Sequence, residues 1–426
     1  MDVFWLDTAA NVGKGSSNTP LDNADVAIIG AGFTGLATAY YTGLAGARTV
    51  VFEEAAIGSG ASGRNGGQVL RGWPADAKEL VRSYGFEIAQ TLWSVSDDAV
   101  KRVAQLAGSL DTACDLENPG HLEGSLSAGD RRKLEDELRT LEGLGASGIA
   151  LWDGAQIEEA VGTHAYPLGL YDPKGMAFHP KKYADGLAAQ ARAAGARIVE
   201  HCRVVGWERR GEGFRLELAD GRRCQARRLV VATNGYTPTF ARPLSARLIP
   251  VDSAQIAVEL KSPEMLPPAM PTVSDGGAEY NYFRRGGQRH LLVGGRVPLS
   301  EVQRGAFPTL AAQLGVVFPQ LQGQCRVTHR WSGRIALSSD GIPHLWNLGP
   351  ALWTAGGYTG HGAALSSQMG YFLAQLALDQ SEDDPRIRTL LEIPWRRFPL
   401  GRAARWALPT AFRIMDWRAQ RRLQRH

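Results

Sequence analysis

The short apolar run Val26 to Ile29 leads straight into Gly-Ala-Gly-Phe-Thr-Gly, Gly30 to Gly35, and then into a helix-compatible stretch reaching about Leu44. No other feature restricts the fold as much. Such a run suits a strand buried on both faces of a parallel sheet. The glycines permit a tight turn and let an anionic group approach the N-terminus of the following helix. A second strand, Thr49 to Glu53, completes a βαβ unit. Glu53 ends that strand about 20 residues beyond the turn, where a carboxylate accepts hydrogen bonds from ribose hydroxyls; Glu54 beside it is the alternative for the same role. The pattern points to dinucleotide binding.

A chain of 426 residues exceeds the size at which one core stops growing, so two interleaved domains are expected. Its 50 glycines are more than average usage supplies. The net charge of +4 is too small to argue for nucleic acid. Four cysteines, Cys114, Cys202, Cys224 and Cys325, stand far apart without metal-ligand spacing, so reduced thiols are expected and no metal site. No stretch is apolar for the roughly 18 residues that span a bilayer. Together with the lack of a charged leader, this makes a cytoplasmic protein the expectation.

Residues 1–23 are polar, with Phe4 and Trp5 as large apolar anchors, and read as an extended arm lying on the fold. The alternation of strand and helix signals assigns 24–75, 150–235 and 326–380 to a discontinuous nucleotide-binding domain, and 76–149 and 236–325 to a second domain. Ala254 to Leu260 and His290 to Val293 read as antiparallel strands of that second domain. Lys181 to Ala194 reads as a helix and Arg197 to Glu200 as a strand. A basic tail, 381–426, follows.

Beyond the first turn, Gly58 to Gln68 reads GSGASGRNGGQ. So many small residues disfavour helix and strand but suit a loop whose amides lie against phosphates and a flat ring. A third cluster, GGYTGHG from Gly356 to Gly362, lies between the apolar run Ala351 to Ala355 and a helix reaching about Leu378. That helix would aim its positive end at the turn; a plain glycine cap is the bland alternative.

With GMAFHPKKYADGLA (Gly175 to Ala188), LVVATNGYTP (Leu229 to Pro238), LLVGGR (Leu291 to Arg296) and WSGRIALSSDGIP (Trp331 to Pro343), these clusters resemble the D-amino-acid oxidase superfamily over nearly the whole chain. The likeness is greatest to the branch containing gamma-glutamylputrescine oxidase. It implies an α/β fold, a Rossmann-like FAD-binding domain with an interleaved α+β substrate domain built on an antiparallel sheet, and non-covalent FAD. It also implies that Gly30, Gly32, Phe33, Thr34 and Gly35 surround the pyrophosphate, with Glu53 on ribose and Ser62 on phosphate. Arg64, Asn65, Gly66, Gly67 and Gln68 would line the flavin, and Val204 would face the adenine. Thr233 and Asn234 would close the nucleotide side, and Gly357, Tyr358, Thr359, Gly360 and His361 would bound the pyrimidine edge. Trp331 and Arg334 would stand near the ring. Tyr280, Tyr282 and Arg284 share one face of a strand; with His361 and Arg64, the two tyrosines are the candidate catalytic side chains.

The implied reaction is oxidation of a C–N bond in a small amine or amino acid to an imine that water then hydrolyses. The rivals are a monooxygenase, a dehydrogenase delivering electrons to a quinone, and a flavin-bearing binding protein. Oxygen and quinone both stand as acceptors: the lysine that serves oxygen activation in the sarcosine oxidase pattern is replaced by Leu292. The tail interleaves Arg396, Arg397, Arg402, Arg405, Arg413, Arg418, Arg421, Arg422 and Arg425 with Trp395, Phe398, Trp406, Phe412 and Trp417. Such a segment suits peripheral contact with an anionic membrane; a solvated helix packed by its aromatics is the alternative.

Overall fold

The computed structural model describes residues 2–9, 23–275, 281–296 and 306–398. Its first strand, Asn23–Ile29, sends Val26 and Ile28 into one hydrophobic cluster and Ala27 and Ile29 into another. A strand apolar on both faces belongs in the interior of a layered sheet. It pairs in parallel with Thr49–Phe52 on one side and Arg223–Val231 on the other. Arg197–Val199 and Leu352–Gly356 extend the two sides in parallel, and His344–Gly349 adds an antiparallel edge. Helices Phe33–Leu44, Pro180–Ala193 and Gly362–Ala377 cover the Val26 face, sharing one core through Leu36, Leu187 and Met369.

The second sheet has the spatial order Cys325–Leu337, Ile249–Leu260, His290–Arg296, Asn281–Arg285, Thr272–Asp275, His121–Ser125, Leu168–Asp172, Ala150–Asp153. Its pairings are antiparallel except where Thr272–Asp275 meets His121–Ser125. The expected strands around Ala254 and His290 pair with each other along their length. Ala254, Ile256 and Val258 point into a core with Phe283 and Val293. The α/β architecture, with a mainly parallel first sheet and a mainly antiparallel second one, is therefore as expected.

Several segments lie elsewhere than their order in the chain suggested. Ala150–Asp153, Leu168–Asp172 and all of Cys325–Leu337 but its first residue, expected in the nucleotide-binding domain, pair in the antiparallel sheet. The helix Phe86–Gly108, expected in the second domain, buries Leu92, Val95, Ala99 and Val103 with Leu365 and Phe372 of the first layer. Local sequence favours a strand or helix, whereas the sheet that receives it is chosen by partners distant in the chain.

The N-terminal arm also differs. Phe4–Asp7 is a helical turn, and Val3, Phe4 and Trp5 are buried against Ala257, Leu292 and Trp331. One turn carries no periodic signal and is not stable by itself, so packing forms it. Residues 10–22, 276–280 and 399–426 lie outside the described residues, and with them Tyr280 and most of the tail arginines. No described helix is long and apolar enough to cross a membrane.

Candidate active site

The first turn is built with no spare room. Gly30 has φ +104°, and a Cβ there would stand 2.9 Å from the Ala232 carbonyl oxygen; a Cβ on Gly35 would stand 2.0 Å from the Gly30 carbonyl oxygen. Ala31 N–H donates to Glu53 Oε2 (2.7 Å) and Ala55 N–H to Oε1 (3.0 Å). Burial raises the Glu53 carboxyl above its ordinary value, against the pull of those two amides. Ser62 Oγ accepts from Phe33 N–H at 3.0 Å, tying the second glycine cluster to the helix N-terminus.

The third cluster is tied to the first by one buried contact, Thr34 Oγ1 to Tyr358 OH at 2.7 Å. Asn234 Oδ1 accepts from Gly357 N–H (3.0 Å), and the Ala336 carbonyl accepts from Thr359 N–H (3.0 Å). Thr359 holds φ +49°, uncommon for a β-branched residue. Its hydroxyl donates to the Gly357 carbonyl, which helps to hold that conformation.

The loop Arg64–Gln68 is held from behind. Its Arg64 carbonyl accepts from Trp331 Nε1 (2.9 Å) and from Gln255 Nε2, its Asn65 carbonyl from Trp5 Nε1 (2.8 Å), and its Gly67 carbonyl from Arg284 Nη1 (2.8 Å). The Asn65 side chain spans the loop, donating to the Ala61 and Ser62 carbonyls and accepting from Gly67 N–H. Gln68 Nε2 donates to the Val273 and Phe283 carbonyls, which ties the loop to the antiparallel sheet.

These elements enclose two adjoining cavities. The larger, about 730 Å³, is lined by Gly30, Gly32, Phe33, Thr34, Glu53, Glu54, Ser62, Asn65, Val204, Thr233, Asn234, Arg334, Tyr358 and Gly360 among others. The smaller, about 210 Å³, is lined by Arg64, Asn65, Gly66, Gln68, Tyr282, Thr359, Gly360 and His361, with Ala363 and Ala364 from the first turn of the helix Gly362–Ala377. Asn65 and Gly360 line both. Sequence reasoning therefore selects residues that converge from distant points in the chain. Gly35, Gly67, Gly357 and Trp331 line neither cavity. Trp331, expected near the ring, is fully buried behind Arg64. Its indole faces backwards because alternate residues of a strand face opposite sides of the sheet.

Of the candidate catalytic side chains, Tyr282, His361 and Arg64 meet in the smaller cavity. Arg64 Nε donates to the Ser59 carbonyl at 2.7 Å. Arg284, on the same strand face as Tyr282, is buried beneath the loop and lines neither cavity. The sequence reading missed Val251, Asp252, Ser253 and Gln255, which the strand Ile249–Leu260 brings to the smaller cavity, and Tyr236 and Phe240, which line the larger. The signal was there in part: Val251, Ser253 and Gln255 alternate with the core residues Ala254 and Ile256, and polar side chains on one face of such a strand mark a lined space. Asp252 forms an ion pair with Arg334 (3.0 Å). Among the described residues no cluster suits a metal ion, and none of the four cysteines forms a disulfide.

The model of a family described as FAD dependent oxidoreductase matches residues 25–376. A probable oxidoreductase OrdL of Rhizobium meliloti is 31% identical over 93% of this chain and 92% of its own length. A gamma-glutamylputrescine oxidoreductase of Escherichia coli is 29% identical over 89% of each chain. Among solved structures, L-proline dehydrogenase from P. horikoshii is similar with a TM-score of 0.72 at 15% identity, covering 93% of this chain and 99% of that one. Glycine oxidase from Geobacillus kaustophilus is similar with a TM-score of 0.68 at 21% identity, covering 84% and 95%. At these identities the structural likeness shows the fold.

Proposed function

The chain belongs to the family of FAD-dependent oxidoreductases, and on that premise we propose that it oxidises a C–N bond in a small amine or amino acid. The observation that carries this reading is the pair of cavities, a larger one of about 730 Å³ that gives room for a dinucleotide and a smaller one of mixed lining that adjoins it. A relative named for gamma-glutamylputrescine supports the substrate class. The residues present fit FAD: the glycine turn packs so closely on the protein's own backbone that Gly30 and Gly35 admit no Cβ, Gly30 and Gly32 line the larger cavity, and a carboxylate stands at the end of the next strand. In this reading Gly30, Gly32, Thr34 and Ser62 meet the phosphates, Glu53 the ribose and Val204 the adenine. The strands at 150–172 and 325–337 count with the substrate-binding part.

When bound, FAD would supply the redox chemistry, as the acceptor of hydride from the substrate carbon. The chain's own residues orient and enclose. Tyr282 and His361 both line the smaller cavity as substrate-orienting groups, and Leu70, Val251 and Ile335, which line it too, exclude water. The first turn of the helix Gly362–Ala377 presents its positive end to the same space, where negative charge develops. Cys325 bonds to the Leu321 carbonyl and lines neither cavity, which supports non-covalent attachment.

A second reading, a dehydrogenase passing electrons to a quinone rather than oxygen, is favoured by Leu292, an uncharged residue buried beneath Trp5 and Trp331. Peripheral membrane contact through the tail belongs to that reading. Anaerobic mixing with amines, N-methyl amino acids and D-amino acids should bleach the bound flavin with one of these classes, and acid precipitation should leave the pellet colourless. Bleaching by NADPH alone would sink the proposal in favour of a monooxygenase. Mixing the reduced protein with air-saturated buffer and with a soluble quinone then separates oxidase from dehydrogenase.

Glu53→Ala is expected to weaken FAD binding by about 1 to 3 kcal/mol, roughly 5- to 150-fold in Kd, while the chain stays folded. The ribose hydroxyls donate to the ionised carboxylate, and burial raises that carboxyl, so affinity should fall as pH drops through the raised value. Glu53→Gln should flatten this pH dependence. Titration of apo protein with FAD across acidic pH measures both; unchanged affinity in Glu53→Ala would transfer the role to Glu54.

A further inference from the structure

Arg284 is 5% exposed, and its hydrogen bonds all end on backbone carbonyls: Arg285 (2.9 Å), Gly66 (3.4 Å), Gly67 (2.8 Å) and Phe178 (2.9 Å). Among the described residues it forms no ion pair. Burial pulls its guanidinium down to about 10, so it stays protonated at neutral pH, with only the exposed carboxylates of Glu117 and Asp115 offsetting its field. A buried charge without a counter-ion is costly. Here the cost is met in part by neutral dipoles, and a partner that carries charge only in one state of the protein would complete it.

The geometry identifies that partner's place. Arg284 lies directly beneath the loop Arg64–Gln68, so close that a Cβ on Gly67 would stand 2.5 Å from its Nη1. Trp5 covers it, with the guanidinium carbon 5.4 Å from the ring centre, and so keeps water from this side. With the Arg64 and Asn65 carbonyls bonded to side chains behind the loop, the N–H groups of Asn65 and Gly66 point the other way, toward the cavity both residues line. Arg284 itself bonds to the next two carbonyls of the same loop, Gly66 and Gly67, so a fixed cation stands behind the loop. Across the sheet Arg284 is paired with Leu292, so the cation stands one strand away from that uncharged position.

We propose that Arg284 is a positioning residue whose buried positive charge, relayed through the Arg64–Gln68 loop, stabilises the anionic reduced form of the bound flavin and thereby sets its reduction potential. The proposal rests on the cofactor reading above. It makes Arg284 neither a substrate ligand nor a proton donor, since it lines neither cavity.

The test is the midpoint potential of the bound flavin, measured by equilibration with a reference dye in the full-length protein and three variants, with the FAD-to-chain ratio recorded alongside. Arg284→Gln should lower the potential by at least a tenfold change in the two-electron equilibrium, about 30 mV. Arg284→Lys, which keeps the charge without the fork, should stay within about twofold, ~9 mV. Glu117→Gln, an exposed change that removes an offsetting carboxylate, should raise it. An unchanged potential in Arg284→Gln with FAD bound overturns the proposal, as does a fall in Arg284→Lys equal to that in Arg284→Gln, which would assign the effect to loop geometry. Should Arg284→Gln lose its FAD, the other two variants decide: a raised potential in Glu117→Gln with little change in Arg284→Lys supports the charge, and no rise in Glu117→Gln refutes it. A wild-type chain that takes up no FAD refutes instead the cofactor reading.

Discussion

Gly35→Ala is expected to yield a chain that purifies without FAD and does not take it up on titration. Two effects oppose each other at this position. Gly35 lies in the helix Phe33–Leu44, where alanine gains about 0.5 to 1 kcal/mol in propensity. Against that, the new Cβ would stand 2.0 Å from the Gly30 carbonyl oxygen and 3.3 Å from Ile28 Cγ2. Neither neighbour yields easily, because Gly30 bonds to the Phe52 carbonyl within the parallel sheet and Ile28 is fully buried. The helix must therefore move away from the strand, at a cost of more than about 3 kcal/mol, the upper range for overpacking a core. Steric cost exceeds propensity. The displacement falls on the turn itself, so cofactor binding suffers along with stability. Gly108→Ala is the control: it ends the helix Phe86–Gly108, has no neighbour within 4 Å of the added Cβ, and should be neutral or slightly stabilising. Stoichiometric FAD in purified Gly35→Ala would show that the turn relaxes at little cost and is not the rigid cradle described.

The second large effect is expected from Arg71→Met, which should lower the denaturant midpoint of unfolding substantially and loosen the join between the two sheets. Arg71 lies shortly after the Arg64–Gln68 loop, with its side chain 1% exposed. It forks onto Asp172 (2.6 and 2.8 Å), reaches Asp97 (3.2 Å) on the helix Phe86–Gly108 and donates to the Ser147 carbonyl (3.1 Å). One side chain thus links a helix of the first layer to the strand Leu168–Asp172 of the antiparallel sheet. Desolvation weakens its protonated form, but the bonds to Asp172 and Asp97 outweigh that and hold its pKa above the ordinary value. Breaking a buried pair by removing one partner costs about 3 to 5 kcal/mol. The lower end is expected here, because Asp172 and Asp97 keep 15% and 20% side-chain exposure and can rehydrate. Methionine fills much of the volume, so the loss reports charge rather than a cavity. A midpoint within experimental scatter of the wild type would mean that the two carboxylates rehydrate fully and that the sheets are joined by apolar packing alone.

The fit between sequence and site was closest where backbone conformation is the functional element. Gly30 at φ +104° and the Gly35 contact are demands that only glycine meets, so their order in the chain announced the turn. Glu53 was legible for a related reason: a short strand fixes how far its last carboxylate lies from that turn. Tyr282 and Arg284 share a strand face as their spacing required, yet only one of them reaches the cavity. The difference is decided by the loop above them, which covers Arg284 and leaves Tyr282 open.

By itself the sequence determined the glycine turns, the βαβ order, the periods of the strands and helices and the family to which the chain belongs, because each depends on residues close together or on motifs repeated in order. Only the tertiary structure decided which sheet receives Ala150–Asp153, Leu168–Asp172 and Cys325–Leu337, that Trp5 reaches Asn65, and that Val251, Ser253 and Gln255 wall the smaller cavity. These are pairings across long separations, where hydrogen-bond partners and apolar contacts are selected by the whole fold and any one segment offers several equally good local choices.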